Sequence, residues 1–262
     1  MKKIVSALVL TGLVSASGVA MAEEASPHTL TGNISLTSDY VFRGISQTGG
    51  DPAVQGGLDY THSSGIYVGT WGSNVGWIED FQGYESGNME IDLYGGFRSS
   101  IGETGLSYDV GLVQYWYPGT RAGAVTGDTT ELYGSLGWKW FTAKYSYSLS
   151  DETFGFANSS GSGYFDLSAS LPVGESGVTL GAHWGTFSFD NNGAQDYDDW
   201  KISATYDMGK LSTVTSGVTI GMAYSDTNVS SGDGTAFSAP WTDANGQDLG
   251  DGTFYAWISK AL

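Results

Sequence analysis

The sequence contains no cysteine and has few positive charges. Without cysteine the chain has no disulfide, no cysteine-ligated zinc and no thiol nucleophile. Only 10 lysines and arginines stand against 28 aspartates and glutamates, so the formal net charge is −18. A chain this acidic repels nucleic acid, and nucleic-acid partners are therefore excluded.

Long apolar runs are also missing after the N-terminus, which predicts that no helix spans a membrane in the mature chain. Lys2 and Lys3 precede a short apolar stretch and small residues that end at Ala22. This order predicts a secretory signal peptide over residues 1–22, followed by a short periplasmic extension over 23–29. A retained N-terminal anchor helix is the alternative.

Glycine and aromatic residues are abundant instead. Glycine occupies 40 of the 262 positions, and aromatic residues make up 14% of the chain. Disordered glycine-rich chains lack aromatics, so the composition indicates a folded, all-β protein.

Apolar and polar residues alternate along most of the chain. Ile34 and Leu36, for example, alternate with Ser35 and Thr37. A period of two predicts a strand, and the same pattern recurs along the sequence. The twelve predicted strands cover residues 30–43, 54–61, 66–73, 89–98, 106–112, 131–139, 141–149, 165–171, 178–184, 200–208, 218–224 and 254–262. Their connections are alternately short and long, apart from a long connection at 207–217 on the short side.

Alternation alone fits a membrane barrel or a secreted β-sandwich. Large aromatics such as Trp116, Trp138 and Trp184 stand on the apolar face close to predicted strand ends, as in the aromatic girdles of membrane barrels. An even strand number also brings both termini to the short-turn side. The pattern favours one transmembrane antiparallel up-and-down β-barrel of about 12 strands over residues 30–262, with both termini periplasmic.

The polar face of this predicted barrel carries charges of both signs. Asp39 and Arg43 lie about 13 Å apart if they share one extended strand, so each is expected to pair with charges on neighbouring strands, such as Asp59, Glu90, Asp92 or Arg98. Two compatible interpretations are a network that stiffens the wall and a constriction that selects solutes by charge. The predicted lumen charges are Asp39, Arg43, Asp59, Glu90, Asp92, Arg98, Asp109, Glu131, Lys139, Lys144, Asp166 and Lys201.

Aromatic residues and loop acids leave further alternatives. Inward-facing rings are able to fill the lumen, which is the basis of a structural or adhesive barrel that transports nothing. These rings belong to Tyr67, Trp71, Tyr94, Tyr133, Tyr255 and Trp257. The long loops are rich in acids, which indicates a solvated face or, as an alternative, divalent-ion bridging to lipopolysaccharide. These acids are Glu79, Asp80, Glu85, Asp128, Asp151, Glu152, Asp190, Asp196, Asp226, Asp233 and Asp243.

No motif in the sequence indicates an enzyme. His183 is the one histidine placed to act as a base, and no nucleophile elbow, metal-spaced histidine pair or phosphate-binding glycine loop accompanies it. We therefore expect no catalytic site, no cofactor and no metal.

Several segments resemble known outer-membrane sequences. Residues 251–262 resemble the C-terminal signal read by the barrel assembly machinery, with Leu262 where an aromatic is commoner. The similarity to the TorF family of proteobacterial porins is strongest over 33–135. It is carried by residues 33–47, 52–60, 65–75, 90–96, 115–119 and 131–135. The resemblance implies a passive channel for small hydrophilic solutes in the outer membrane of a Gram-negative bacterium, in contact with lipid and lipopolysaccharide.

Overall fold

A computed structural model describes residues 26–80, 84–121, 123, 125–229, 241–242 and 246–262. The predicted signal peptide over 1–22 lies outside the described residues, as do Asp233 and Asp243. Alternating residues form twelve long strands, as the period of two predicts. They are β1 (His28–Thr37), β2 (Ala53–His62), β3 (Ile66–Asn74), β4 (Met89–Ser100), β5 (Leu106–Trp116), β6 (Thr129–Trp138), β7 (Phe141–Ser148), β8 (Gly163–Pro172), β9 (Val178–Ser188), β10 (Tyr197–Asp207), β11 (Val218–Thr227) and β12 (Thr253–Ala261).

Each strand pairs antiparallel with the next one in sequence, and β12 pairs with β1 to close the sheet. In the closing pair, Leu36 stands opposite Ile258, and on the other side of β1 it stands opposite Val54. Closure leaves no unpaired edge on this sheet. The predicted twelve-stranded antiparallel barrel is therefore confirmed, and the sandwich alternative is wrong.

The two faces of the sheet differ in the sense expected of a membrane barrel. On β6, Leu132 and Leu136 are exposed, whereas Glu131, Tyr133 and Ser135 between and beside them are buried. Apolar side chains thus point outward and polar ones point into the barrel, the reverse of a soluble protein. Within the described part of the chain no helix is long and apolar enough to cross a membrane.

The connections make the two ends of the barrel unlike. The short-turn end includes the two-residue turn between β6 and β7, and its longest connection is built from two 3-10 turns, Met208–Lys210 and Thr213–Thr215. The long-loop end carries the connections that follow β1, β3, β5, β7, β9 and β11. Their short elements are the strand pairs Val41–Phe42 with Ile45–Ser46, Tyr84–Ser86 with Thr120–Arg121, and Glu152–Thr153 with Phe156–Ala157, helix α1 (Trp77–Asp80), and the 3-10 turn Gly193–Gln195.

Strand β1 is shorter than predicted, because local hydrogen bonds end it at Thr37. The Thr37 hydroxyl donates to the Asp39 carbonyl at 2.7 Å, and the Asp39 carboxylate accepts from Ser46 at 2.7 Å and from Thr48 at 2.9 Å. Such side-chain bonds offer the backbone an alternative to the sheet. Residues 38–52 therefore form a connection, called loop 1 below, and the prediction that Asp39 and Arg43 share one extended strand is wrong.

The outward apolar belt gives the first expected result. An arginine in place of Leu132, which is 43% exposed near the middle of β6, is expected to lower the free energy of unfolding by about 2–4 kcal/mol if that surface lies in lipid. The measurement is urea unfolding of the protein in lipid bilayers. Val214→Arg is the matched control, since Val214 is an exposed apolar residue outside the strands, and we expect no loss there. Equal losses in the two variants would contradict a lipid-facing belt.

Candidate functional site

Loop 1 folds into the barrel and reaches its far wall. The Arg43 guanidinium donates to both oxygens of the Glu131 carboxylate, with Nη1 to Oε1 at 2.8 Å and Nη2 to Oε2 at 2.7 Å. Glu131 lies on β6, five strands around the barrel from β1. Because the bridge joins loop 1 to a distant strand, loop 1 crosses the lumen rather than lying along its wall.

The bridge is buried among aromatic rings. The guanidinium carbon of Arg43 lies 4.2 Å from the ring centroid of Tyr164, 4.8 Å from that of Phe42 and 5.0 Å from that of Phe187. Bidentate hydrogen bonding to a carboxylate and contact with the faces of aromatic rings both stabilise a guanidinium group that is removed from water. Burial alone lowers the pKa of Arg43, but the adjoining Glu131 carboxylate raises it above its ordinary value. The Arg43 guanidinium therefore stays charged.

Gly44 lets the tip of loop 1 pack against a second part of the wall. Its φ is +80°, a conformation that side chains disfavour. A Cβ atom at this position would lie 2.5 Å from Cγ2 of Thr227 on β11 and 2.6 Å from Cβ of Asp199 on β10. Loop 1 is thus held on β6 by Arg43 and fits closely against β10 and β11 through Gly44.

We expect Gly44→Ala to displace loop 1. The strained φ alone contributes a loss of about 1–3 kcal/mol in the free energy of unfolding, and the two close contacts add to it. Gly134→Ala on β6 is the control, because its Cβ would meet no atom within 4 Å, and its effect should stay within about 0.5 kcal/mol. Equal unfolding midpoints for the two variants in urea would show that loop 1 is not tightly seated.

Buried apolar side chains fill the long-loop end of the barrel around this bridge. Phe187 and Phe189 stack with ring centroids 4.0 Å apart, and Phe154 packs edge-on against Phe187 at 6.1 Å. A gap of about 30 Å³ remains between loop 1 and these rings. The mouth cluster, as we name it, consists of Ile45, Val75, Trp77, Ile78, Tyr84, Val113, Tyr115, Tyr117, Tyr133, Phe154, Tyr164, Phe187, Phe189, Tyr197 and Leu249. The cluster narrows the lumen at this end.

A second network joins β8, β9 and β10. His183 Nδ1 lies 2.7 Å from Oδ2 of Asp166, and its Nε2 lies 2.8 Å from Oδ1 of Asp199. The Tyr164 hydroxyl donates to the other Asp199 oxygen at 2.7 Å. Because carboxylates face both ring nitrogens, both hydrogen bonds require a protonated imidazole. Lys201 stands opposite His183 on β10, so this wall gathers cations and anions together.

A third group lies on β3 to β7. The Tyr67 hydroxyl donates to Oδ1 of Asp109 at 2.6 Å and also hydrogen-bonds to the Tyr133 hydroxyl. Arg98 lies over the Tyr67 ring at 4.8 Å, and Lys144 lies over the Tyr133 ring at 4.4 Å. Asp109, Arg98 and Lys144 therefore surround the same tyrosine pair.

The remaining predicted charges are placed as follows. Asp59 accepts from the Tyr94 hydroxyl at 2.7 Å, and Asp39 is held within loop 1. Lys139 is exposed in the turn after β6, with Nζ 4.5 Å from the ring centroid of the outward-facing Trp138. The prediction that Lys139 lines the lumen is wrong, because β6 and its alternation end at Trp138.

The structure differs from the predicted site in two respects. Arg43 pairs with Glu131, not with Asp59, Glu90, Asp92 or Arg98, because loop 1 leaves the wall that carries those residues. Asp199 was missed, although it shares the parity of Lys201 on the same strand.

The fold of this chain is similar to that of solved porin structures. A KdgM porin has a TM-score of 0.51 at 4% identity, over 89% of this chain and 99% of that one. A KdgM porin in complex with disordered oligogalacturonate gives 0.53 at 4% identity, with the same coverage. A NanC porin gives 0.52 at 11% identity, over 88% of this chain and 98% of that one. At these identities the similarity shows a porin-like fold.

Comparison of sequences adds the family. No curated protein sequence matches the chain. A family model described as a bacterial protein of unknown function, Gcw_chp, matches residues 21–262. This family model does not carry the name TorF, so the match does not confirm the TorF relationship that the sequence suggested. The chain belongs to the Gcw_chp family.

Proposed function

We propose that the protein is an outer-membrane, porin-like channel for passive diffusion of small hydrophilic solutes. The observation that carries this proposal is a closed twelve-stranded barrel with an apolar exterior and a charged interior. A barrel of this kind satisfies its backbone in lipid and offers polar groups to a solute inside. The proposal involves no catalytic step, and in the described part of the chain no three histidine, aspartate or glutamate side chains are grouped to hold a metal ion.

The constriction of this channel is assigned to loop 1 and the Arg43–Glu131 bridge. For the bridge we infer the first interpretation of the lumen charges, because the buried pair fastens loop 1 to the wall, and selection of solutes by charge stays a prediction. Asp39 belongs to the same feature, because it holds the fold of loop 1 through Ser46 and Thr48.

The setting of the channel forms part of the same proposal. The signal peptide directs export of the chain and is cleaved after Ala22, and the barrel assembly machinery reads residues 251–262. Both termini then face the periplasm of a Gram-negative bacterium, and the long-loop end faces the outside of the cell. Lipid and lipopolysaccharide surround the apolar belt. A specific relationship to the TorF family is also part of this proposal, and it rests on the sequence resemblance described above.

The plugged barrel is the second candidate function. It is favoured by the mouth cluster and by loop 1, which together fill the long-loop end. A barrel closed in this way is structural or adhesive, and it passes no solute until loop 1 moves.

Swelling of liposomes in uncharged sugars of increasing size separates the two candidates. A channel gives swelling rates that fall as the sugar becomes larger, whereas a plugged barrel gives no swelling with any sugar. The protein used is first shown to be folded by different migration of boiled and unboiled samples on a detergent gel. Folded protein that never swells liposomes would overturn the proposed channel.

A further inference from the structure

Two buried carboxylates on the inner wall stand apart from the networks described above. Glu90 and Asp92 lie two residues apart on β4, so their side chains share the lumen face. They are 1% and 9% exposed. Glu90 lies close to the Tyr117 hydroxyl and its Oε1 accepts from the Tyr40 hydroxyl at 2.9 Å, but Oδ1 of Asp92 accepts no hydrogen bond.

The other inward acids do have partners. Glu131 has Arg43, and Asp166 and Asp199 share His183. Within the residues that the structure describes, neither Glu90 nor Asp92 forms an ion pair. Burying an unpaired carboxylate is costly, and a cation bound from outside the chain relieves that cost, as does uptake of a proton.

Aromatic rings frame the same two carboxylates. The direct neighbours of Asp92 across the sheet are Trp71 on β3 and Tyr115 on β5. Side chains directly opposite one another in a sheet lie close enough to interact. The Tyr40 ring, whose hydroxyl binds Glu90, packs edge-on against Trp71 with centroids 5.3 Å apart. Trp71 is only half-buried, so part of its side chain is accessible.

This combination indicates the class of ligand. Carboxylates beside aromatic rings recognise organic ammonium groups, because the ring faces attract a cation that is weakly hydrated. A metal ion requires more oxygen or nitrogen ligands, and no group of three histidine, aspartate or glutamate ligands occurs among the described residues.

We propose that Glu90 and Asp92, framed by Trp71 and Tyr115, bind the ammonium group of a small organic cation on the lumen wall. Such cations are then the preferred solutes of the channel. This preference rests on the proposed function, whereas the binding itself needs only the folded barrel.

Calorimetric titration of the purified, folded protein in detergent micelles tests the site. The probes are methylammonium chloride and tetramethylammonium chloride, with sodium chloride at the same ionic strength as the reference. We expect saturable binding of the ammonium probes and none of sodium. Glu90→Gln and Asp92→Asn should each weaken the binding about tenfold or more, because each removes a charged partner.

Two further variants provide a charge control and a second readout. Glu175→Gln changes the net charge equally at an exposed turn and should bind as the wild type does. Trp71→Leu keeps both carboxylates and should weaken tetramethylammonium binding, which gives a second readout if a carboxylate variant does not fold. No saturable binding by the wild type, equal binding by sodium, or unchanged binding in Glu90→Gln and Asp92→Asn would overturn the site.

The ammonium site and the proposed channel are tested independently of each other. Binding in micelles without any solute flux in liposomes would retain the ammonium site and overturn the channel. Flux without binding would retain the channel and overturn the site.

Discussion

The Arg43→Ala variant is expected to unfold more readily and to conduct more than the wild type. Truncation leaves the Glu131 carboxylate, which is 2% exposed, buried without its cation. Breaking a buried pair in this way typically lowers the free energy of unfolding by about 3–5 kcal/mol. It also removes the bidentate contact between loop 1 and β6, so loop 1 has less to hold it across the lumen.

Urea unfolding and single-channel recording measure these two effects. Arg98→Ala is the matched control, since Arg98 is a half-buried lumen arginine that donates to Thr61 at 3.0 Å and lies over the Tyr67 ring but forms no ion pair among the described residues. We expect its stability loss to be about 1–2 kcal/mol. The paired variant Arg43→Met with Glu131→Leu should recover much of the lost stability, because neither a charge nor an unpartnered polar group is then left buried. If Arg43→Ala matched Arg98→Ala in both measurements, loop 1 would not be held by the bridge.

The His183→Ala variant is expected to show the second large loss of stability. It removes the ring that joins Asp166 on β8 to Asp199 on β10. Two carboxylates then face one another across β9, with Lys201 on β10 and Lys144 on β7, opposite Asp166, as the neighbouring cations. Loss of one member of such a buried network lowers the free energy of unfolding by about 3–5 kcal/mol.

Unfolding in urea again gives the measurement, with His62→Ala as the control. His62 ends β2 and its ring hydrogen-bonds to the nearby Ser64 side chain, so its removal should change the free energy of unfolding by no more than about 0.5 kcal/mol. The reversal potential in a salt gradient separates the two interpretations of the charges. A changed reversal potential with unchanged stability would show that His183 selects ions and does not brace the wall.

The strands and their faces were predictable because they depend on local alternation. On β6 the sequence alone places Leu132 and Leu136 on one face and Glu131 and Ser135 on the other, and the structure agrees. A closed barrel needs only that this alternation recurs and that neighbouring strands pair. The buried positions of the predicted charges Glu90, Asp109 and Asp166 on the strands follow from the same parity.

The interior of the long-loop end was not predictable in this way. Loop 1 has the alternation of a strand up to Arg43, but the hydrogen bonds around Asp39 turn the chain inward after Thr37. The partner of Arg43 is Glu131, 88 residues away in sequence, and no periodic pattern links two such positions. Phe154 comes from a loop as well, so the aromatic cluster depends on tertiary packing.

Single-channel recording of the wild-type protein in planar lipid bilayers tests the central claim most directly. Protein that migrates differently before and after boiling is added at low concentration to a bilayer in potassium chloride. A porin-like channel predicts discrete conductance steps of uniform size, which become larger in Arg43→Ala. Silent bilayers with the folded wild type and with folded Arg43→Ala would contradict the channel and leave a plugged barrel.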